Sequence, residues 1–244
     1  MIRSTLDLQQ TALQTLQERY RQPHSLRCQV ERHLDFSPHT ILQMLVLEVE
    51  RKFRCLAVKR LVRDGGFPPF RSFKYCGKQT FHDVYYDKAD LLSSKGVWIR
   101  QRDGHWQAKI QRGGDYHNSK FEELSNPMDI SQYLAELTGI RHNERNNFGL
   151  MQMAAFSTLR ESWVADQDFT VVQDVTDFGH TVGEVELECR VEGEGSPGLA
   201  TERYRAAKMA EMDERITTFM KRYSWAFCAG VPKGKLTAYF ETFQ

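Results

Sequence analysis

The chain has 244 residues, which is enough for one large domain or two small ones. Its 33 lysine and arginine residues nearly balance 32 aspartate and glutamate residues, so no overall basic charge points to a nucleic-acid partner. No apolar run approaches the roughly 18 residues that a membrane span needs, and the first residues lack the apolar core of a signal peptide. Five scattered cysteines without metal-ligand spacing indicate free thiols in a reducing compartment, which predicts a cytoplasmic protein.

The first part of the chain is predicted to be an extension of a larger domain. Leucines at helical spacing predict an amphipathic helix over residues 4–21. Residues 22–40 contain Pro23 and Pro38 and are typical of a linker. We therefore predict an N-terminal helix and linker over residues 1–44 and a separate domain over residues 45–244.

Seven segments of this domain have the residue pattern that predicts β-strands. They span residues 45–54, 80–87, 96–102, 105–112, 148–164, 169–176 and 181–191. Asp103-Gly104, between the third and the fourth segment, is typical of a two-residue hairpin turn. Residues 62–79 contain Gly65-Gly66 and Pro68-Pro69 and are predicted to form a long loop.

Three helices are predicted to flank these strands, over residues 129–138, 198–227 and 234–243, and the first ends before Gly139. The longest has an apolar stripe at helical spacing, which indicates packing against a core rather than a cofactor site. Its members are Ala206, Met209, Ile216, Phe219 and Met220. Many antiparallel strands with few helices predict an α+β fold, in which helices cover a closed antiparallel β-barrel with a polar interior.

The predicted strand over residues 45–54 has one charged face and one apolar face. Glu48, Glu50 and Lys52 are two residues apart, so they share a face, while Leu47 and Val49 point the other way. Neighbouring carboxylates repel each other unless a proton or a cation lies between them, and such hard oxygen ligands suit Mg²⁺ or Mn²⁺. A solvated strand face with a neutralising lysine also explains this segment.

The same alternation recurs in three further strands, which favours a charged interior over a solvated surface. The polar faces carry Trp98, Arg100 and Arg102; Gln107, Lys109 and Gln111; and Glu184, Glu186, Glu188 and Arg190. Two of the four strands supply acids and two supply bases. If these faces converge inside a barrel, they form a cavity with an acidic wall for a divalent metal and a basic wall for phosphates.

Short motifs follow one another from residue 45 to residue 243. They are Glu48-Val49-Glu50-Arg51-Lys52, Tyr85-Tyr86-Asp87, Trp98-Ile99-Arg100-Gln101-Arg102, Trp106-Gln107-Ala108-Lys109, Phe121-Glu122-Glu123-Leu124, Leu159-Arg160, Asp174 with Asp177-Phe178-Gly179, Gly183-Glu184-Val185-Glu186 and Lys235-Leu236-Thr237-Ala238-Tyr239. The first is the ExExK signature, and the whole series resembles the CYTH superfamily, also called the triphosphate tunnel metalloenzymes.

This resemblance implies an eight-stranded antiparallel tunnel that binds a small-molecule triphosphate together with Mg²⁺ or Mn²⁺. Within the superfamily, the Trp-x-Arg-x-Arg segment and the segment after Asp177 are most similar to those of the thiamine triphosphatases. Those enzymes hydrolyse thiamine triphosphate to thiamine diphosphate and phosphate. We expect a monomer of this kind, with no nucleic-acid and no membrane partner.

The resemblance also implies roles for single residues. The metal ligands would be Glu48, Glu50, Asp174, Glu184 and Glu186, and the substrate-binding residues would be Lys52, Trp98, Arg100, Arg102, Lys109, Glu123, Arg160 and Lys235. Trp98 would hold the thiamine moiety. Tyr85 and Lys109 would form a proton-transfer pair, and Lys52 would act beside them in catalysis.

Other functions stay open at this point. One is a less selective triphosphatase for inorganic or nucleoside triphosphates, or an adenylyl cyclase, of the same superfamily. Another is a module that binds polyphosphate without catalysis. Trp98 favours a thiamine compound, because a purely inorganic substrate needs no aromatic platform. Glu188, which follows the usual acid pair, is predicted to be a surface residue at the end of a strand.

Overall fold

The computed structural model describes residues 44–192 and 201–243 of the protein, and a closed barrel of antiparallel strands forms its centre. The strands are β1 (Met44–Phe53), β2 (Phe73–Asp87), β3 (Val97–Arg102), β4 (His105–Gly114), β5 (Asn118–Leu124), β6 (Met151–Ala165), β7 (Phe169–Thr176) and β8 (Thr181–Glu192). Around the barrel they lie in the order β1-β5-β4-β3-β2-β6-β7-β8, and β8 pairs with β1 to close it. The predicted eight-stranded antiparallel barrel with flanking helices is therefore confirmed. The predicted helix over residues 4–21 lies outside the described residues.

The turn between β3 and β4 has a conformation that its two residues explain. Asp103 and Gly104 both have positive φ angles, 48° and 81°, as a two-residue hairpin turn of the mirror-image type requires. Arg102 pairs with His105 directly across the turn. The predicted hairpin is confirmed.

Two strand predictions were wrong. β2 begins at Phe73, within the segment predicted as a loop, because Phe73–Thr80 forms a long ladder with the second half of β6. A β-bulge between Tyr75 and Gly77 interrupts the alternation there, so the sequence lacks a strand pattern.

β5 was missed as a separate strand because charges occupy both of its faces. Glu122 points outwards and is buried against Arg112, at 2.7 Å, while Glu123 points into the barrel. Charged residues on both faces remove the apolar signal on which strand prediction depends.

Two helices cover the outside of the barrel, α1 (Pro127–Thr138) and α2 (Glu202–Arg222), and a third, α3 (Lys235–Phe243), packs at one of its ends. Asn126 caps the start of α1 by accepting the Met128 N–H at 2.9 Å, and Gly139 ends it with a φ of 76°. None of the helices in the described part combines the length and the apolar character needed to cross a membrane.

The large core lies between the barrel wall and α2. Leu47 and Val49 point outwards from β1 into this core, where Met212 and Ile216 of α2 are also fully buried. The predicted stripe was partly wrong, because Ala206 is exposed and Met212 had not been included. Helix α2 also ends at Arg222, earlier than predicted, and a short 3₁₀ turn follows at Ser224–Ala226.

A second, smaller core closes one end of the barrel. Tyr85, Phe156 and Ala154 point inwards and are buried there. Tyr239 of α3 packs against Phe156 with a centroid distance of 5.6 Å. The contact fixes α3 on the barrel and brings Lys235, its first residue, towards the interior.

Candidate functional site

The inward-facing side chains enclose a cavity of about 400 Å³, within the usual range for sites that bind small molecules. Thirteen of the fourteen predicted site residues line it. They are Glu48, Glu50, Lys52, Tyr85, Trp98, Arg100, Arg102, Lys109, Glu123, Arg160, Glu184, Glu186 and Lys235. Asp174 is the exception, since its carboxylate is buried against Arg160 and Lys235. The four strands with charged faces therefore do converge on one cavity.

Three glutamates form an acidic cluster on the β1–β8 side of this cavity. Glu50 and Glu186 are directly opposite in the ladder, and Glu48 is two residues from Glu50 on the same face. One carboxylate oxygen of each lies within 4.8 Å of those of the other two. All three side chains are buried.

The acidic cluster has perturbed proton affinities. Burial raises the pKa of Glu186 to about 7, and the nearby Glu184 and Glu50 carboxylates add to the rise against the opposing effect of Arg160. Burial also raises the pKa of Glu48 well above its ordinary value, although Lys109 acts in the opposite direction. Full ionisation of the three buried carboxylates is therefore unfavourable, because they repel one another and are shielded from water. A divalent cation bound between them would offset this repulsion.

Two lysines stand beside this cluster. Lys109 forms ion pairs with Glu48 and, at 3.0 Å, with Glu123, which is its direct partner across the β4–β5 ladder. Lys52 pairs with Glu50 and lies 3.5 Å from Glu184. Burial alone would lower the pKa of Lys109, but these carboxylates outweigh it and raise that pKa well above its ordinary value. Both lysines therefore carry positive charge at neutral pH.

Arginines from β3 form the first half of a basic side. Arg102 donates from Nε and Nη2 to the two oxygens of Asp83, each at 2.8 Å, and stacks 3.8 Å over the Phe81 ring. Arg100 donates to Gln107 at 2.8 Å and to the Tyr85 hydroxyl at 3.4 Å. The structure thus places the Tyr85 hydroxyl beside Arg100, and its predicted partnership with Lys109 stays a prediction.

The second half of the basic side comes from β6 and the start of α3. Arg160 donates to both oxygens of Asp174, at 2.7 and 2.8 Å, and its Nη2 lies 3.3 Å from Glu184. Lys235 also forms an ion pair with Asp174. Asp174, predicted as a metal ligand, is thus placed between two cations.

The carboxylates on the basic side have the opposite pKa shift to the acidic cluster. Burial alone would raise the pKa of Asp83, but Arg102 and Arg100 outweigh it and lower that pKa. In the same way Lys235 and Arg160 lower the pKa of Asp174, and Lys235 and Lys52 hold the pKa of Glu184 well below its ordinary value. These carboxylates are therefore ionised and already neutralised by protein cations.

An aromatic group completes the lining. The Trp98 indole is half-buried and meets the Phe121 ring in a T-shaped contact, with centroids 5.7 Å apart. Tyr116 also lines the cavity and is exposed. One part of the cavity can therefore accept a flat organic group next to Arg100, which is two residues from Trp98 on the same strand face.

The model of one protein family matches most of the chain, namely that of the CYTH domain, over residues 47–213. The chain belongs to the CYTH domain family. Human thiamine-triphosphatase is 31% identical over 170 residues, which are 61% of this chain and 71% of that protein.

Two solved structures from Pyrococcus horikoshii OT3 also resemble this CYTH protein, although distantly. The PH1819 protein is 17% identical with a TM-score of 0.46, and the match covers 80% of this chain and 99% of that one. The PH1012 protein is 15% identical with a TM-score of 0.42, over 72% of this chain and 88% of that one. Likeness at this level says nothing about a substrate.

The acidic cluster of this CYTH domain fits a divalent metal. Glu48, Glu50 and Glu186 offer three carboxylate oxygens close together, and hard oxygen donors are what Mg²⁺ and Mn²⁺ prefer. The pKa values of Glu48 and Glu186 are raised by burial and by the neighbouring carboxylates, and a divalent cation would favour the ionised forms of both. Asp174 and Glu184 do not join this cluster in the described part of the chain.

Sequence reasoning missed Asp83, which is fully buried and holds Arg102. A signal was available, since Asp83 is two residues from Tyr85 and so shares its inward face. Glu188 was predicted at a strand end but lies within β8. It is exposed, as expected, and its side chain also lines the cavity.

Proposed function

We propose that this CYTH protein is a metal-dependent triphosphatase that hydrolyses thiamine triphosphate to thiamine diphosphate and phosphate. The observation that carries the proposal is one cavity with a buried cluster of three glutamates on one side and Arg100, Arg102 and Arg160 around the other. Such a cavity suits a polyanion that arrives with a divalent cation. The 31% identity to human thiamine-triphosphatase supports the hydrolysis of a thiamine compound in particular.

The basic residues would bind and orient the triphosphate. Arginine guanidinium groups match two phosphate oxygens at once, whereas the lysine ammonium groups act as compact point charges. The cations in the cavity already touch carboxylates, so their charges are balanced before a substrate binds. The cost of burying the charges is then largely met before the substrate arrives.

A water molecule would attack the terminal phosphorus, the bond to the oxygen of the second phosphate would break, and the water proton would pass to solvent. Lys109, held by Glu48 and Glu123, is placed to neutralise charge on the departing diphosphate. Mg²⁺ or Mn²⁺, when bound by the acidic cluster, would supply further positive charge to the phosphate oxygens. Positioning and charge stabilisation are the main requirements of phosphoryl transfer.

Trp98 supports an organic substrate rather than inorganic triphosphate. Its indole ring lies on the same face of β3 as Arg100, so a group attached to the bound phosphates would reach it. The thiazolium ring of thiamine is cationic, and cations bind well over an indole face.

The test is phosphate release from thiamine triphosphate, inorganic triphosphate and ATP, each with Mg²⁺, with Mn²⁺ and with excess chelator. We expect metal-dependent hydrolysis with the highest kcat/KM for thiamine triphosphate. Equal kcat/KM values for all three substrates would replace the proposal with a less selective triphosphatase. Binding of all three without phosphate release would replace it with a polyphosphate-binding module.

A further inference from the structure

The same arrangement of an aspartate and an arginine occurs twice inside the barrel. Asp83 of β2 is directly opposite Arg102 of β3, and Asp174 of β7 is directly opposite Arg160 of β6. In each pair Nε and Nη2 of the arginine donate to the two carboxylate oxygens at 2.7–2.8 Å. The aspartates are 0% and 1% exposed, so water cannot solvate either charge.

The two pairs also share one aromatic ring. The Arg102 guanidinium lies 3.8 Å from the centroid of Phe81, and that of Arg160 lies 5.5 Å from the same centroid. Phe81 is buried between them. The ring and the two carboxylates together restrict two long side chains that otherwise have many rotamers.

Asp174 faces cations on both of its oxygens. Oδ1 accepts from Arg160 Nε at 2.7 Å, while Oδ2 accepts from Arg160 Nη2 at 2.8 Å and from Lys235 Nζ. A divalent cation at Asp174 would be repelled by these two positive charges at contact distance. Asp174 also does not line the cavity and lies outside the cluster of Glu48, Glu50 and Glu186.

We propose that Asp83 and Asp174 are positioning residues, which hold Arg102, Arg160 and Lys235 in place for the triphosphate, and that metal binding is left to Glu48, Glu50 and Glu186. This inference rests on the proposed function and deepens it. A fixed guanidinium presents its donors to phosphate without reorganising during the reaction. Each aspartate places one buried negative charge between two cations, which are Arg100 and Arg102 at Asp83 and Arg160 and Lys235 at Asp174.

The first experiment measures Mn²⁺ binding without any substrate, by titration calorimetry of the full chain. Asp174→Asn should keep the wild-type Mn²⁺ Kd within about twofold, because it removes no ligand in this assignment. Glu186→Gln should weaken Mn²⁺ binding by about tenfold or more, as the loss of a charged ligand does. Equal weakening in Asp174→Asn and Glu186→Gln would overturn the assignment. This experiment decides the metal question even if no triphosphate is hydrolysed.

The second experiment separates positioning from folding. In excess chelator, Asp174→Asn and Asp83→Asn should each bind inorganic triphosphate more tightly than wild type, with a Kd lower by about threefold or more. The reason is that each variant removes a negative charge near the phosphates. With Mg²⁺, kcat should nevertheless fall by roughly 10- to 100-fold, since misplaced groups lose their alignment. A variant that was merely less well folded would show fewer binding sites with an unchanged Kd, and that result would overturn the proposal.

Asp213 supplies a matched control, because it makes the same kind of pair outside the barrel. Its oxygens lie 2.7 Å from Arg51 Nη2 and 3.0 Å from Lys120 Nζ. Asp213→Asn should leave turnover and triphosphate affinity close to those of wild type. A loss of turnover in Asp213→Asn as large as the loss in Asp83→Asn or Asp174→Asn would contradict a role specific to these two aspartates.

Discussion

On one side of the cavity three buried glutamates crowd together, and on the other side two buried aspartates each face an arginine. Burial raises the pKa of Glu48 and Glu186, and the neighbouring carboxylates raise it further. Asp83 and Asp174 are even less exposed, yet their pKa values are lowered. The depth of burial is similar, so the neighbouring charges decide the direction of the shift.

The glutamates are crowded by other carboxylates as well as paired with lysine or arginine, whereas the two aspartates face mainly cations. Replacing a member of the glutamate cluster should matter for metal binding and little for the fold. Replacing an aspartate on the basic side leaves an arginine without its partner, so it should matter for both stability and alignment.

Removal of the divalent metal should have the largest effect. Excess chelator is expected to reduce hydrolysis of thiamine triphosphate by about 1000-fold or more, because the glutamate cluster cannot bind a polyanion by itself. Mg²⁺ or Mn²⁺ should restore the rate, while Ca²⁺ should support it poorly because of its looser coordination. The measurement is phosphate release. Undiminished release in excess chelator would refute a metal function for the glutamate cluster.

Glu186→Gln should have the second-largest effect on activity. Its kcat/KM for thiamine triphosphate should be about 100-fold lower than that of wild type, because it binds Mn²⁺ more weakly. Without metal, the variant should melt at the same temperature as wild type or higher, because one charge is removed from a crowded cluster. Glu161→Gln is the control, since Glu161 lies on the outer face of β6 near Lys78. A clearly lower melting temperature for Glu186→Gln would mean that the cluster is a structural network.

The barrel was predictable from sequence because alternation identifies which side chains share a strand face. Glu48, Glu50 and Lys52 do point inwards, as do Arg100 and Lys109. Alternation failed where both faces carry charge, in β5, and where a bulge interrupts the ladder, in the first half of β2. Both failures have a local cause, and neither changed the predicted class of fold.

The pairing inside the barrel was not predictable in the same way. Alternation places Asp174 and Arg160 on inward faces, but only the register of β6 and β7 puts them directly opposite each other. A three-residue turn at residues 166–168 sets this register, and that turn was not predicted from the sequence. Of the five metal ligands implied by family resemblance, the structure brings Glu48, Glu50 and Glu186 together, while Asp174 and Glu184 lie against Arg160 and Lys235.

Asp83→Asn should show a moderate, pH-dependent loss of stability of about 1–3 kcal/mol, since it leaves Arg102 unpaired. The pKa of Asp83 lies below its ordinary value of 3.8 in the folded protein. Its stabilisation is therefore fully present above about pH 4 and is lost as the pH falls through the folded pKa. Denaturant unfolding of both proteins should give a constant difference from pH 5 to 8 that shrinks below pH 4. A difference that does not depend on pH would mean that the Asp83 charge is not its source.

The smallest expected effect concerns Trp98, which lies beside the basic side without carrying charge. A thiazolium ring over an indole face gains roughly 0.5–2 kcal/mol, which corresponds to about 3- to 30-fold in rate at 1.36 kcal/mol for each factor of ten. Trp98→Ala should therefore lower kcat/KM for thiamine triphosphate by that factor and leave inorganic triphosphate nearly unchanged. The ratio of the two kcat/KM values in wild type and variant measures the effect.

Trp98→Phe is the matched control for this prediction, because it keeps an aromatic face with a weaker attraction for cations. The kcat/KM of Trp98→Phe for thiamine triphosphate should lie between those of wild type and Trp98→Ala. The T-shaped contact with Phe121, at 5.7 Å, gives Trp98 a packing role as well. If packing were the whole of its role, Trp98→Ala would shift the arginines of β3 and slow both substrates equally. An equal loss would thus move Trp98 from substrate recognition to support of the basic side, and selectivity for thiamine would have to come from elsewhere in the cavity.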